Sequence, residues 1–141
     1  MYKVYVFGAL SYVKNPAETK ACYDKIGLVR EEICLQAYVP YLQTDLVNNP
    51  DITPREVFDQ DKHQVSISDL IIAYLGFLSF GVGMELAYAE NNKIPIILMY
   101  EKGKRISRFP RGIPTVIAEI QCNDCEDTLH QLKSVLLKWK E

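Results

Sequence analysis

Residues 69–75 read DLIIAYL, and residues 79–89, after a short connection, read SFGVGMELAYA. The first stretch is a continuous apolar run, which suits a strand covered on both faces. The second places two glycines and then a glutamate where a helix should open, with Gly81–Ala89 as its expected span. A buried strand feeding a helix is the repeating unit of a parallel sheet. The same grammar extends outward. KVYVF (3–7), ICLQAYV (33–39, stopped by Pro40), PIILMY (95–100) and TVIAEI (115–120) are short, rich in β-branched and aromatic residues, and read as strands. Asn15-Pro16-Ala17-Glu18 and Thr53-Pro54-Arg55-Glu56 each combine a cap, a proline suited to the first helical position and a capping-box glutamate. They predict helices running to about Gly27 and Ser66. A last helix is expected over 124–140, with lysines toward its end as the macrodipole favours. Residues 41–52 and 103–114 read as loops, the second of them basic.

The expected order is β-α-β-α-β-α-β-β-α. It implies an α/β fold of flavodoxin or Rossmann-like type, with about five mostly parallel strands and helices on both faces. The chain has 141 residues, 48% hydrophobic and 24% charged. That is enough apolar material for one domain spanning 1–141, and it excludes general disorder. Sixteen basic and eighteen acidic residues leave a net charge of -2, without the basic surplus expected of a nucleic-acid binder. No apolar run approaches the ~20 residues needed to span a bilayer. Residues 1–10 lack the pattern of a secretory signal, so a cytoplasmic protein with no membrane partner is expected.

The four cysteines are Cys22, Cys34, Cys122 and Cys125. Only the last two form a C-x-x-C pair. With His63 and His130 the only histidines, the ligand count falls short of a zinc site, so no metal is expected.

In a parallel sheet of this kind, ligands bind outside the carboxyl ends of the strands. Three stretches fall there: residues 5–11, residues 79–85 and the loop 102–107. In the second, Gly81 and Gly83 would permit a tight turn and a close backbone approach by a ligand. Glu85 either complements the positive end of its helix or aims a carboxylate into the crevice. No dinucleotide-binding glycine motif is completed, because position 86 is Leu, and there is no P-loop. Asp61 lies on the preceding helix, where a solvated acid is the ordinary outcome. Lys102, Lys104, Arg105, Arg108 and Arg111 form either a solvated charge run or a set of phosphate contacts. Phe7, Tyr12, Tyr38 and Phe77 are candidates for stacking on a base or, more ordinarily, for the core.

These residues together resemble the nucleoside 2-deoxyribosyltransferase superfamily, which includes the 2'-deoxynucleoside 5'-monophosphate N-glycosidases. Tyr5 followed by Gly8 is similar to the family's first strand. Asp61 and Asp69 stand before a segment, Ser79 to Ala89, that is similar to the family's glutamate signature. Ser107 matches a serine that a neighbouring subunit contributes in the monophosphate hydrolases. The resemblance implies Glu85 as nucleophile, Asp61 as the second acidic group and Tyr5 as the residue holding Glu85. It also implies substrate contacts at Gly8, Ser79, Gly81, Gly83 and Ser107. A carboxylate suits this chemistry because N-glycosidic cleavage builds positive charge at the anomeric carbon, which the carboxylate can stabilise and then bond.

The resemblance therefore implies an enzyme that hydrolyses a small (deoxy)nucleoside or its 5'-monophosphate, without metal or organic cofactor, as a homodimer or larger homo-oligomer with shared sites. A base-exchanging transferase and a non-catalytic nucleotide-binding module are the alternatives, and an NAD-cleaving enzyme ranks lower. The family's phosphate-gripping loop is absent, since residues 8–13 read GALSYV with no arginine. Ser79 resembles the hydrolases rather than the transferases, and the long lysine-containing last helix does not resemble the transferase tail.

Overall fold

A computed structural model of the chain describes residues 2–8, 24, 35–38, 49–76 and 79–141. Within them, five strands form one parallel sheet: β1 (Tyr2–Gly8), β2 (Leu35–Tyr38), β3 (Leu70–Tyr74), β4 (Ile96–Glu101) and β5 (Val116–Cys122). The spatial order is β2-β1-β3-β4-β5, and every neighbouring pair is parallel. The helices are α1 (Pro54–Ser66), α2 (Phe80–Asn91), the short α3 (Arg108–Arg111) and α4 (Cys125–Lys140). The helix expected to begin at Asn15 and the loop expected from residue 41 lie essentially outside the described residues, as do Tyr12, Phe77 and the cysteines 22 and 34.

Alternation along β1 shows why the strands read as apolar runs. Val4 and Val6 join Leu70, Ile72, Ile97, Met99, Ile120, Leu132 and Leu136 in one core layer, against α4. Tyr5 and Phe7 point to the opposite layer with Ile71, Ala73, Val82, Leu86, Ile96 and Leu98, against α1 and α2. Both faces are covered, so neither set of alternating positions can be polar. Asp69 anchors the β1–β3 register: its carboxylate accepts from the Lys3 amide at 2.8 Å, and its own amide donates to the Lys3 carbonyl at 2.8 Å.

The helix starts follow the expected grammar with small changes. Thr53 caps α1, accepting from the Glu56 amide at 3.2 Å and donating its hydroxyl to Glu56 Oε1 at 2.9 Å. Asp124 caps α4 through the Asp127 amide at 2.8 Å. The basic stretch expected as a loop contains α3, because Ser107 accepts from the Phe109 amide and opens one helical turn. Gly81 and Gly83 do not make a turn. Ser79 caps α2 and starts it at Phe80, so both glycines lie inside the helix, and neither has a positive φ.

The strand order reverses direction between β1 and β3. In a sheet of this order, that switch point opens a crevice at the strand carboxyl ends. It is bounded by β1, β3 and the start of α2.

Candidate active site

The site is built on the α1/α2 side of the switch point. Tyr5 comes from the middle of β1 and is fully buried (0% exposed). Its ring packs edge-on to Phe7 and stacks on Tyr38 at the end of β2, both at 5.3 Å between centroids. Glu85 comes from the second turn of α2 and Asp61 from the middle of α1. The structure therefore brings Tyr5, Asp61 and Glu85 together from three elements, with Tyr38 as a fourth member. Asp61 reaches the site because it lies mid-helix, opposite the α2 start.

Burial dominates the electrostatics. It pushes Glu85 up to about 7; the Tyr5 hydroxyl pulls against that rise, and the Asp61 charge adds to it. Burial likewise raises Asp61 to about 6, opposed by the Tyr38 hydroxyl. Tyr5 is driven far above the ordinary phenol range by burial and then by Glu85, so it stays protonated. Tyr5 and Glu85 lie close enough to shift each other, yet among the described residues the Tyr5 hydroxyl and Glu85 Oε2 are both buried without a hydrogen-bond partner in place. Each such atom costs roughly 1–3 kcal/mol, an expense that folds carry mainly at functional sites.

Glu85 has a second, more open side. A Cβ built on Gly81 would lie 3.8 Å from Glu85 Oε1 and 3.7 Å from Ser79 Oγ. Oε1 therefore lies toward Gly81 and the helix start, while Oε2 is the buried oxygen. Ser79 spends its hydroxyl on the Val82 amide at 3.4 Å. Gly83 is exposed, and a Cβ there would meet nothing within 4 Å. Gly8 ends β1 beside Tyr74 of β3.

Ser107 is not brought to the carboxylates. It lines a separate groove of about 1180 Å³ between α2 and the segment around α3. Ser79, Gly83, Met84 and Ala87 form one wall of the groove, and residues 104–110 form the other. Tyr5, Asp61 and Glu85 are absent from its lining. Of the basic residues, Arg111 is bound to Glu119 at 2.6 Å, and Lys104 donates to the Gly76 carbonyl. Arg105 and Arg108 line the groove.

Tyr38 and Gln60 are the members that the sequence pattern did not single out for the catalytic group. The Tyr38 hydroxyl accepts from Gln60 Nε2 at 2.9 Å and lies 3.5 Å from Asp61 Oδ1. Tyr38 was a candidate for base stacking or the core; its ring is half-buried and stacks on Tyr5.

Fold and site together define a flavodoxin-like α/β protein with two carboxylates meeting beside the switch point. No protein-family model matches the chain. A protein of Thermofilum pendens, assigned by name as a 2'-deoxynucleoside 5'-phosphate N-hydrolase 1, is 31% identical over 88 residues, which cover 60% of this chain and 62% of that protein. A protein of Syntrophotalea carbinolica with the same assigned name is 40% identical over 47 residues, 33% of each chain. The chain thus aligns with less than two thirds of the length of either relative. Among solved structures, a CMP N-glycosidase of Clostridium botulinum superposes with a TM-score of 0.74 at 20% identity, covering 94% of this chain and 98% of that one. A 2-deoxyribosyltransferase of Bacillus psychrosaccharolyticus gives 0.67 at 14% identity, covering 93% and 90%. Sequence relatives and fold neighbours converge on the nucleoside 2-deoxyribosyltransferase superfamily, the family that the sequence resembles.

Proposed function

We propose that the protein hydrolyses the N-glycosidic bond of a 2'-deoxynucleoside or its 5'-monophosphate. The observation that carries this reading is the pairing of two partly buried carboxylates from different helices, one of them beside a protonated tyrosine. In the first step, ionised Glu85 bonds to the anomeric carbon as the bond to the base breaks. Asp61 passes its proton to the departing base. In the second step, water attacks the anomeric carbon, Glu85 leaves with the bonding pair, and the water's proton returns to Asp61. The products are free base and deoxyribose, or its 5-phosphate. Tyr5 holds Glu85 without taking part in proton transfer, since its hydroxyl does not ionise in the working range.

A second copy of the chain would complete the site. Phe80 is 96% exposed and Phe109 92% exposed, and both lie at the groove that holds Ser107. A concave apolar groove with projecting phenylalanines carries both halves of a self-complementary contact. Ser107 would then serve its partner's site, with Arg105 and Arg108 available to a 5'-phosphate in place of the missing first-loop arginine.

The test is a substrate panel of deoxynucleosides and their 5'-monophosphates, with and without a second free base, analysed by liquid chromatography. Free base is expected whether or not a second base is added, and Glu85→Ala is expected to lose roughly 10³-fold or more in kcat. Product that requires the second base would make the protein a transferase. Binding without cleavage by the wild type would make it a nucleotide-binding module.

A further inference from the structure

Tyr38 ends β2 and sits between two groups that the proposed chemistry needs. Its ring stacks on Tyr5 at 5.3 Å with 25° between the planes. Its hydroxyl oxygen accepts from Gln60 Nε2 at 2.9 Å, and its proton is thereby left to point at Asp61 Oδ1, 3.5 Å away. Gln60 and Asp61 are consecutive residues of α1, so one phenol is clasped by neighbouring side chains of one helix. We infer that Tyr38 is a positioning residue that fixes Asp61 through its hydroxyl and braces Tyr5 through its ring, thereby setting both partners of Glu85. Its kinetic consequences rest on the glycosidase reading above.

The direction of each hydrogen bond follows from the chemistry. A side-chain amide can only donate through Nε2, so the phenol oxygen accepts there. Burial pushes Tyr38 up to about 12, which leaves it a protonated donor at working pH. Accepting from Gln60 polarises that donor, and a polarised hydroxyl donates more strongly to a carboxylate. The groups around Asp61 are Tyr38 on β2, Tyr5 on β1, Glu85 on α2 and its own neighbour Gln60. Tyr38 supplies the one hydrogen bond to Asp61 among the described residues. It ties down Oδ1, which leaves Oδ2 as the oxygen presented to a ligand. Because the bond favours ionised Asp61, it also opposes the rise that burial causes.

A merely packed aromatic predicts something different, and Tyr38→Phe separates the two roles. Phenylalanine keeps the ring against Tyr5 and removes only the hydroxyl. Expected for Tyr38→Phe is an unchanged melting profile, KM within about twofold, and kcat lower by roughly tenfold, since well-placed acid–base groups contribute about 10²–10⁴ and the carboxyl itself remains. Gln60→Leu should produce a smaller loss of the same kind. The double variant should be no worse than Tyr38→Phe, because Gln60 acts through that hydroxyl. In parallel, the carboxyl of Asp61 is titrated by carbon NMR, with its signal assigned by its loss in Asp61→Asn. Its midpoint should move to higher pH in Tyr38→Phe. An unshifted midpoint with undiminished kcat would overturn the inference while leaving the glycosidase reading intact. If the wild type cleaves no substrate, that reading fails, and the Asp61 titration still decides whether Tyr38 holds the carboxyl.

Discussion

At the residue scale, the two carboxylates are too close in strength and position to titrate independently. Asp61 rises to about 6 and Glu85 to about 7, and each charge disfavours the other. Below this window both are protonated, and Glu85 cannot attack. Above it both are ionised, and no proton is available for the base. The reactive form holds one proton, on Asp61; because Glu85 has the higher pKa, this is the minor of the two singly protonated forms, and in the free protein the shared proton rests mainly on Glu85. A bell-shaped dependence of kcat/KM on pH, centred between about 6 and about 7, is therefore expected from rates measured across pH 4–9. A single rising limb would reduce Asp61 to an orienting role. Stability offers a second handle. A carboxyl whose folded pKa lies above its unfolded value contributes stability below the unfolded pKa and loses it as pH rises through the folded one. Glu85→Gln should accordingly match the wild type at pH 4 and exceed it at pH 8 by roughly 1–3 kcal/mol, discounted for partial exposure. Thermal or urea denaturation at the two pH values reads this directly. Tyr5, Asp61 and Glu85 were singled out in the sequence through the family resemblance, and the fold places the three side chains near one another. The Gln60–Tyr38–Asp61 clasp was not legible there, because it depends on how α1 is rotated against a strand more than twenty residues away.

At the element scale, the two glycines of α2 show how one local signal misdirects. Glycine after a strand suggests a turn, but Ser79 takes the capping position and draws both glycines into the helix. Their roles then differ by the face they occupy. Gly83 is exposed, with open space where a Cβ would stand, so Gly83→Ala should gain helix propensity and stabilise the monomeric fold by about 0.5–1 kcal/mol, read as a higher denaturation midpoint. Gly81 faces Glu85, and a methyl group there fits at ordinary contact distances of 3.7 and 3.8 Å. Gly81→Ala should therefore fold normally yet lower kcat/KM, since the methyl group stands beside Glu85 Oε1 on the side left open for a substrate. A loss of folding in Gly81→Ala, or unaltered activity, would contradict the placement of Gly81 beside a substrate-facing side of Glu85. The strands were easier to read than these helix positions. Burial on both faces leaves an apolar run whatever the register, whereas a helix start depends on which of several small residues wins the cap.

At the scale of the whole molecule, the sheet order places the carboxylates on one flank of α2 and the groove on another. That division makes a prediction about assembly. Phe80 and Phe109 are among the large apolar side chains left most exposed, and no face among the described residues covers them. Exposed aromatic surface beside an apolar groove is the signature of a contact rather than of an ordinary solvent face. Phe80→Asp and Phe109→Asp each replace a ring at the proposed contact with a charge, at positions too exposed to support the fold. Sedimentation equilibrium should show the wild type as a dimer or larger and both variants shifted toward monomer, with denaturation midpoints close to the wild type. If Ser107 and its neighbouring cations serve the partner's site, the monomeric variants should also lose activity, and the loss should be greater on 5'-monophosphates than on free nucleosides. Mixing Ser107→Ala chains with Glu85→Ala chains then provides a decisive check. A shared site should recover part of the wild-type rate in the mixed dimer, because one of its two sites combines an intact Glu85 with an intact Ser107. A site contained within one chain leaves the mixture no more active than the two variants measured apart.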